Sequence, residues 1–155
     1  MSDLSPVAQA LGRMPTGLYL VTTRSGETPL GFVGSFVMQA GFEPPTIMVA
    51  IGTDRDHLAA IRETGRFAVS ILDEASQGLM GAFFGKDGSP FDAVQHTDSP
   101  GGMPVFPEAL AWLDCKLSGE QALGDHVAVF GTVEAAERLR DADPSIHLRK
   151  NGLSY

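Results

Sequence analysis

Residues 30–52 read LGFVGSFVMQAGFEPPTIMVAIG, and the fold turns on how this stretch is understood. Two apolar runs flank Pro44-Pro45, and the first carries Gly31, Gly34 and Ser35 among bulky residues. Glycine packs nothing and weakens a strand interior, so a strand that only filled a core would avoid it. The pattern predicts that something other than side chain lies against this backbone. Residues 30–38 read as one strand. Neither proline can donate a ladder hydrogen bond, so regular structure is expected to stop at Glu43-Pro44-Pro45. Residues 46–51 (TIMVAI) then form a short, continuous apolar run and read as a buried strand.

Outward from this stretch, residues 17–23 (GLYLVTT) are rich in β-branched and aromatic residues and read as a strand. The turn Ser25-Gly26 would let it pair with residues 30–38 as a hairpin. Ser5-Pro6 predicts a short helix to about Leu11. Residues 52–56 (GTDRD) lead into a helix that Asp54 or Asp56 can cap, with Leu58 and Ile61 as its apolar stripe and Gly65 closing it. Residues 66–72 (RFAVSIL) form the next strand, and residues 76–84 a helix ending at Gly85. Residues 86–107 are rich in Gly, Pro, Ser and Asp and read as a long irregular excursion. In residues 110–117, alternation puts Ala111, Leu113, Cys115 and Leu117 on one face, and Asp114 and Lys116 on the other. Residues 126–137 are the clearest long strand, and residues 146–149 suggest a last short one. Six or seven strands joined mostly by turns, with few helices between them, favour a mainly β fold: a closed β-barrel with helical insertions. No repeat or linker divides the chain, so one domain over residues 1–155 is expected.

Composition limits the function. The formal charge of −8 disfavours a broad nucleic-acid-binding face. The single cysteine, Cys115, cannot form an internal disulfide, and its place on an apolar strand face reads as core. Four scattered histidines in no HxxxH or HxH pair make a metal site built within the chain a poor fit. No apolar run reaches the length of a membrane span, and the start MSDLSPVAQALGRM lacks the pattern of a signal peptide. A reducing, cytoplasmic setting is expected.

Six segments in order carry a resemblance: MPTGLYLVTT, LGFVGSFVMQAGFEPPTIMVAI, GRFAVSIL, ALAWLDCKL, GDHVAVFGTV and HLRKNGLSY. The sequence resembles the flavin reductase-like group of FMN-binding split barrels. SFVMQAGFEPP and HLRKNGLSY are especially similar to the flavin reductase-like C-terminal domain of flavodiiron proteins. The resemblance implies a homodimer of six-stranded antiparallel split barrels that binds FMN, or sometimes FAD, near the subunit interface. It implies hydride transfer from NADH or NADPH to the flavin, and in some members delivery of reduced flavin to a partner monooxygenase or other electron acceptor. The alternatives are an FMN-binding electron-transfer protein without nicotinamide activity, or a split-barrel module for another ligand such as haem. No GxGxxG is present, so a nicotinamide would bind in an open groove or over the flavin.

The resemblance also names residues. Val33, Gly34, Ser35 and Phe36 would run along the flavin ring and offer backbone N–H groups to it. The family usually has threonine where Val33 stands and often serine where Phe36 stands. Thr53, Asp54, Arg55 and His57 lie where a loop enters a helix. Free amides, the helix dipole and a guanidinium suit a phosphate there. His126, in Gly124-Asp125-His126, would sit near flavin and nicotinamide as the catalytic-site histidine, or serve as a structural one. Phe84 stands where the family often has an aromatic, and Lys86 is a second candidate for the phosphate. Arg149, Lys150 and Tyr155 would cover the pyridine nucleotide or the partner subunit's flavin, with a solvated basic tail as the simple alternative. Trp112 is placed for packing at a dimer interface.

Overall fold

In a computed structural model, residues 3–85 and 88–155 are described. The elements in order are α1 (Pro6–Leu11), β1 (Tyr19–Ser25), β2 (Thr28–Gly34), β3 (Val37–Phe42), β4 (Pro45–Gly52), α2 (Asp56–Thr64), β5 (Arg66–Ile71), α3 (Gly81–Phe84), β6 (Thr97–Asp98), β7 (Pro104–Val105), β8 (Ala111–Leu123) and β9 (His126–Arg138). The main sheet has seven strands in the order β2-β1-β5-β8-β9-β4-β3, and its pairs are antiparallel. No helix among the described residues is long and apolar enough to cross a membrane.

The expected six-stranded closed barrel is therefore corrected to a seven-stranded sheet that does not close. The cause lies in residues 30–38, which are two strands and not one. The chain leaves the ladder at Ser35-Phe36 between β2 and β3, which are the two outer strands of the sheet. Three Cα–Cα steps from Gly34 to Val37 span at most about 11 Å, so the sheet must curl until its edges are neighbours. The seam stays unpaired. β3 instead turns back tightly on β4, with Phe42 opposite Pro45.

Inside the curled sheet lies a core of Val21, Phe32, Ile47, Val49, Ile51, Phe67, Val69, Cys115, Val127 and Val129, to which α2 adds Leu58 and Ile61. The first residue of α2 is Asp56, its N-cap is Arg55 and no side chain caps it, so neither Asp54 nor Asp56 plays the expected capping role. Gly65 closes α2 in the left-handed region at φ 70°, as expected. The other face of β1 and β5 is also buried. Leu20, Leu72, Leu79, Phe91, Phe106 and Ala109 form a second cluster there. Ala68, Met103 and Val105 form a third, against which Trp112 packs within its own chain.

The second and third clusters change the reading of the excursion. Residues 76–84 are not one helix: a 3-10 segment, Glu74–Met80, is capped by Asp73 and followed by α3. The irregular residues carry the β6–β7 hairpin, and they bring Phe91, Met103, Val105 and Phe106 down as a second layer. The strand read at residues 110–117 runs on to Leu123, with bulges at Asp114/Cys115 and at Leu117/Gly119 that break simple alternation. Asp114, expected on the face opposite Cys115, is buried and accepts from the Gly101 amide at 2.7 Å. Residues 146–149 form no strand, only a single bridge between Thr16 and His147.

Gly31 answers the question raised by its strand, and the answer is packing. A Cβ there would lie 2.8 Å from Phe83 Cε1, 3.2 Å from Phe91 Cζ and 3.3 Å from Thr22 Cγ2. The ring edge of Phe83 fills the space that a side chain would need. At Gly34 a Cβ would meet Val21 Cγ2 at 3.2 Å, so this position too is crowded by protein.

Candidate functional site

Four separate segments meet around a cavity of about 880 Å³. Its walls are Phe36 at the β2–β3 break, Gly52, Thr53, Asp54 and Arg55 between β4 and α2, Asp125 and His126 at the β8–β9 turn, and Arg149 with residues 152–155. Each wall has a local cause. Gly124, at φ 71°, supplies the left-handed residue of the two-residue turn that pairs Leu123 with His126. Thr53 couples the second wall to the third. Its amide donates to the Asp125 carbonyl at 3.0 Å and its hydroxyl to the same oxygen at 3.3 Å.

The wall at α2 presents the end of a helix whose first-turn amides, at Asp56 and His57, have no intrahelical acceptor. Arg55 stands beside them with its guanidinium 5.0 Å from the centre of the Phe32 ring. Arg149 brings a second guanidinium, 4.9 Å from the centre of the Phe36 ring. Arg55, which is the N-cap of α2, and Arg149 thus line one cavity, with Asp54 and Asp125 as the opposing charges.

His126 sits between acid and phenol. Its Nδ1 lies 2.8 Å from Asp125 Oδ1 and its Nε2 meets the Tyr155 hydroxyl. The carboxylate can only accept, so Nδ1 donates to Asp125, and Nε2 shares a hydrogen bond with the Tyr155 hydroxyl. The bond from His126 holds the Asp125 carboxyl below its usual range. Burial raises the Tyr155 phenol, with Arg55 and Arg149 opposing. The rings of Phe36, His126 and Tyr155 form a mutual triad, with centroids 5.4–5.7 Å apart.

Among the residues that the sequence nominated, Phe36, Thr53, Asp54, Arg55, His126 and Tyr155 come together in this cavity. Val33, Gly34, Ser35, His57 and Phe84 do not line it. Val33 packs on the second core cluster, and Gly34 pairs with Tyr19. His57 turns inward from α2: its Nε2 donates to the Gly31 carbonyl at 3.0 Å and its ring lies 4.8 Å from that of Phe32. Burial, first, and Arg55 lower its pKa, against the raising effect of the Gly31 carbonyl and Asp56. Phe84 is exposed on α3. Lys86 lies outside the described residues. Ser35 is buried at the strand break.

Gly52 and residues 152–154 were not nominated. Gly152 had a readable signal only in three dimensions: a Cβ on it would lie 2.2 Å from Leu11 Cβ, and its amide donates to the Ala8 carbonyl at 2.7 Å.

The model of the flavin reductase like domain matches residues 11–152. The reductase subunit HsaB of a flavin-dependent monooxygenase from Rhodococcus jostii is 31% identical over 139 residues, covering 90% of this chain and 71% of that protein. Diflavin flavoprotein A 1 of Synechocystis sp. is 32% identical over 160 residues, covering 97% of this chain but only 27% of that protein. The chain thus spans about a quarter of the length of the diflavin relatives that it matches. The crystal structure of a nitrilotriacetate monooxygenase component B homologue from Mycobacterium thermoresistibile superposes with a TM-score of 0.86 at 28% identity, covering 92% of this chain and 80% of that one. The four-walled cavity therefore stands on a known framework, and the chain belongs to the flavin reductase-like domain family.

Proposed function

We propose that this chain is an NAD(P)H-dependent flavin reductase that binds FMN, with FAD as the alternative flavin. One observation carries the reading. The cavity joins a planar aromatic wall at Phe36, a guanidinium and helix N-terminus at Arg55, and a histidine at His126, on a chain of the flavin reductase-like family. These groups fit a flavin. A flat ring needs an apolar face, its phosphate needs cations and free amides, and its polar edge needs hydrogen-bond donors. In this reading Arg55 and the amides of Asp56 and His57 hold the phosphate, and Thr53 fixes their position. The backbone at the strand break, beside Phe36, serves the ring edge. His126 holds a proton at Nδ1 against Asp125 and offers Nε2 to a ligand. The flavin, when bound, supplies the redox chemistry, and the protein supplies position and electrostatics.

The same reading includes a homodimer, a cytoplasmic setting and a single domain over residues 1–155. β3 is an edge strand with Met38 and Phe42 exposed, a surface suited to a second copy. A monooxygenase or another electron acceptor is the proposed consumer of reduced flavin, since the Rhodococcus relative is named as a monooxygenase reductase subunit.

The test is to load the purified protein with FMN, remove free flavin, and mix it anaerobically with NADH or NADPH while following flavin absorbance. Rapid bleaching is expected and identifies the preferred nucleotide. Bound flavin that resists both nucleotides turns the reading to an electron-transfer flavoprotein. A protein that takes up no flavin and reduces none in turnover refutes the proposal.

A further inference from the structure

Residues 149–155 combine a fixed base with a weakly held tip. At the base, the Gly152 amide donates to Ala8 O at 2.7 Å, and Arg13 Nη2 donates to the Arg149 carbonyl at 3.1 Å. The absence of a Cβ at Gly152 lets the chain lie directly on α1. Beyond this anchor Leu153 and Ser154 are exposed, and Tyr155 is 69% exposed although its ring reaches into the cavity. Among the described residues, its partners there are the Phe36 and His126 rings and the His126 Nε2 atom. Arg149 reaches forward to the tip, with Nη1 3.3 Å from the Ser154 carbonyl and 3.5 Å from that of Gly152.

Consider what this leaves for a ligand. His126 Nδ1 is spent on Asp125 and Nε2 on Tyr155. The Phe36 ring has Tyr155 on its flank and the Arg149 guanidinium over it. A planar heterocycle entering to stack on Phe36 and bond to His126 needs the same two surfaces. Tyr155 is itself a planar ring with one hydrogen-bonding edge, so it satisfies both in the ligand's place.

We propose that residues 149–155 are a displaceable strap and that Tyr155 acts as an internal competitor for the Phe36–His126 subsite. The inference rests on the flavin reductase reading of this site and adds its regulation. A bound flavin or nicotinamide ring displaces Tyr155 while Gly152 stays docked on α1. The exposure of the tip makes that exchange inexpensive, since few contacts are broken.

The experiment uses the whole chain as wild type, Tyr155→Ala and Tyr155→Phe, with FMN and NADH titrated separately by calorimetry. Losing the competitor should tighten binding on the order of tenfold in Tyr155→Ala, the equilibrium worth of its ring contacts with Phe36 and His126 and one hydrogen bond. Tyr155→Phe keeps the ring and should gain less, about fivefold. A gain confined to FMN identifies the flavin as the displacing ring, and a gain confined to NADH identifies the nicotinamide. Without ligand, Tyr155→Phe should also move the imidazole nitrogen resonances of His126. If the wild type binds either compound and Tyr155→Ala binds it no more tightly, the strap is refuted and the reductase reading stands. If neither protein binds either compound, both fall. Unmoved His126 resonances refute the strap directly.

Discussion

Gly31→Ala separates two explanations of the glycine that first singled out its strand. If Gly31 exists to admit Phe83, an added Cβ meets the ring at 2.8 Å, closer than real Cβ atoms come. Phe83 cannot simply swing away, because it sits edge-on to Phe91 at 5.4 Å and to Phe106 at 5.7 Å. Overpacking of this kind costs about 1–3 kcal/mol. The loss of glycine's freedom in the unfolded chain returns about 0.4–1 kcal/mol. The net loss should centre on about 1.3 kcal/mol, or about 3–5 °C in Tm for a chain of this size. Thermal and urea unfolding of the ligand-free protein measure it. Phe83→Leu in the Gly31→Ala background should recover part of the loss, with a coupling above about 0.5 kcal/mol. An unchanged Tm, or strict additivity in the double variant, refutes the packing argument. A drop in flavin affinity without loss of stability would restore the cofactor-facing explanation.

Four further outcomes are expected. Arg55→Ala should weaken FMN much more than riboflavin, which lacks the phosphate, and equal losses in a binding titration would remove Arg55 from that role. His126→Ala should slow hydride transfer or change nicotinamide affinity; stopped-flow rates unchanged with both nucleotides would make His126 structural. Asp73 is buried, and its hydrogen bonds from Arg140 (2.7 and 2.9 Å) and Ser76 hold its carboxyl below the usual range. Its stabilisation is then complete above the unfolded carboxyl pKa of about 3.9 and fades as pH falls through the lower folded value. Arg140→Ala should cost about 3 kcal/mol at neutral pH, with the difference from wild type shrinking in acid unfolding curves. Cys115 is buried and its thiol is pushed up to about 12, first by desolvation and then by Asp114, so it should react with a thiol reagent at pH 8 only as fast as the protein unfolds.

Short stretches of the chain specify what near neighbours can specify. Apolar runs and alternation set the strands at residues 46–51, 66–72 and 126–137 to within a residue or two of β4, β5 and β9. Ser5-Pro6 marked the start of α1, and Gly65 the end of α2, because caps and left-handed residues act over one turn. The approach to α2 at Thr53-Asp54-Arg55 and the turn before His126 were legible for the same local reason, and both line the cavity.

The tertiary structure decided which distant pieces meet. Residues 30–38 look like one strand because bulky apolar residues continue on both sides of Gly34-Ser35, yet the path from one sheet edge to the other needs a break at Ser35-Phe36. The reasons for Gly31 are Phe83 and Phe91, neither of which is near it in sequence. Asp114 is buried because the loop at Gly101 folds over its face of β8, which alternation along the strand does not reveal. The cavity depends on Thr53 holding Asp125, 72 residues on, and on Tyr155 returning 29 residues to His126. Those contacts are set by the path of the whole chain and by steric fit at each meeting point, and a window of a few residues carries neither.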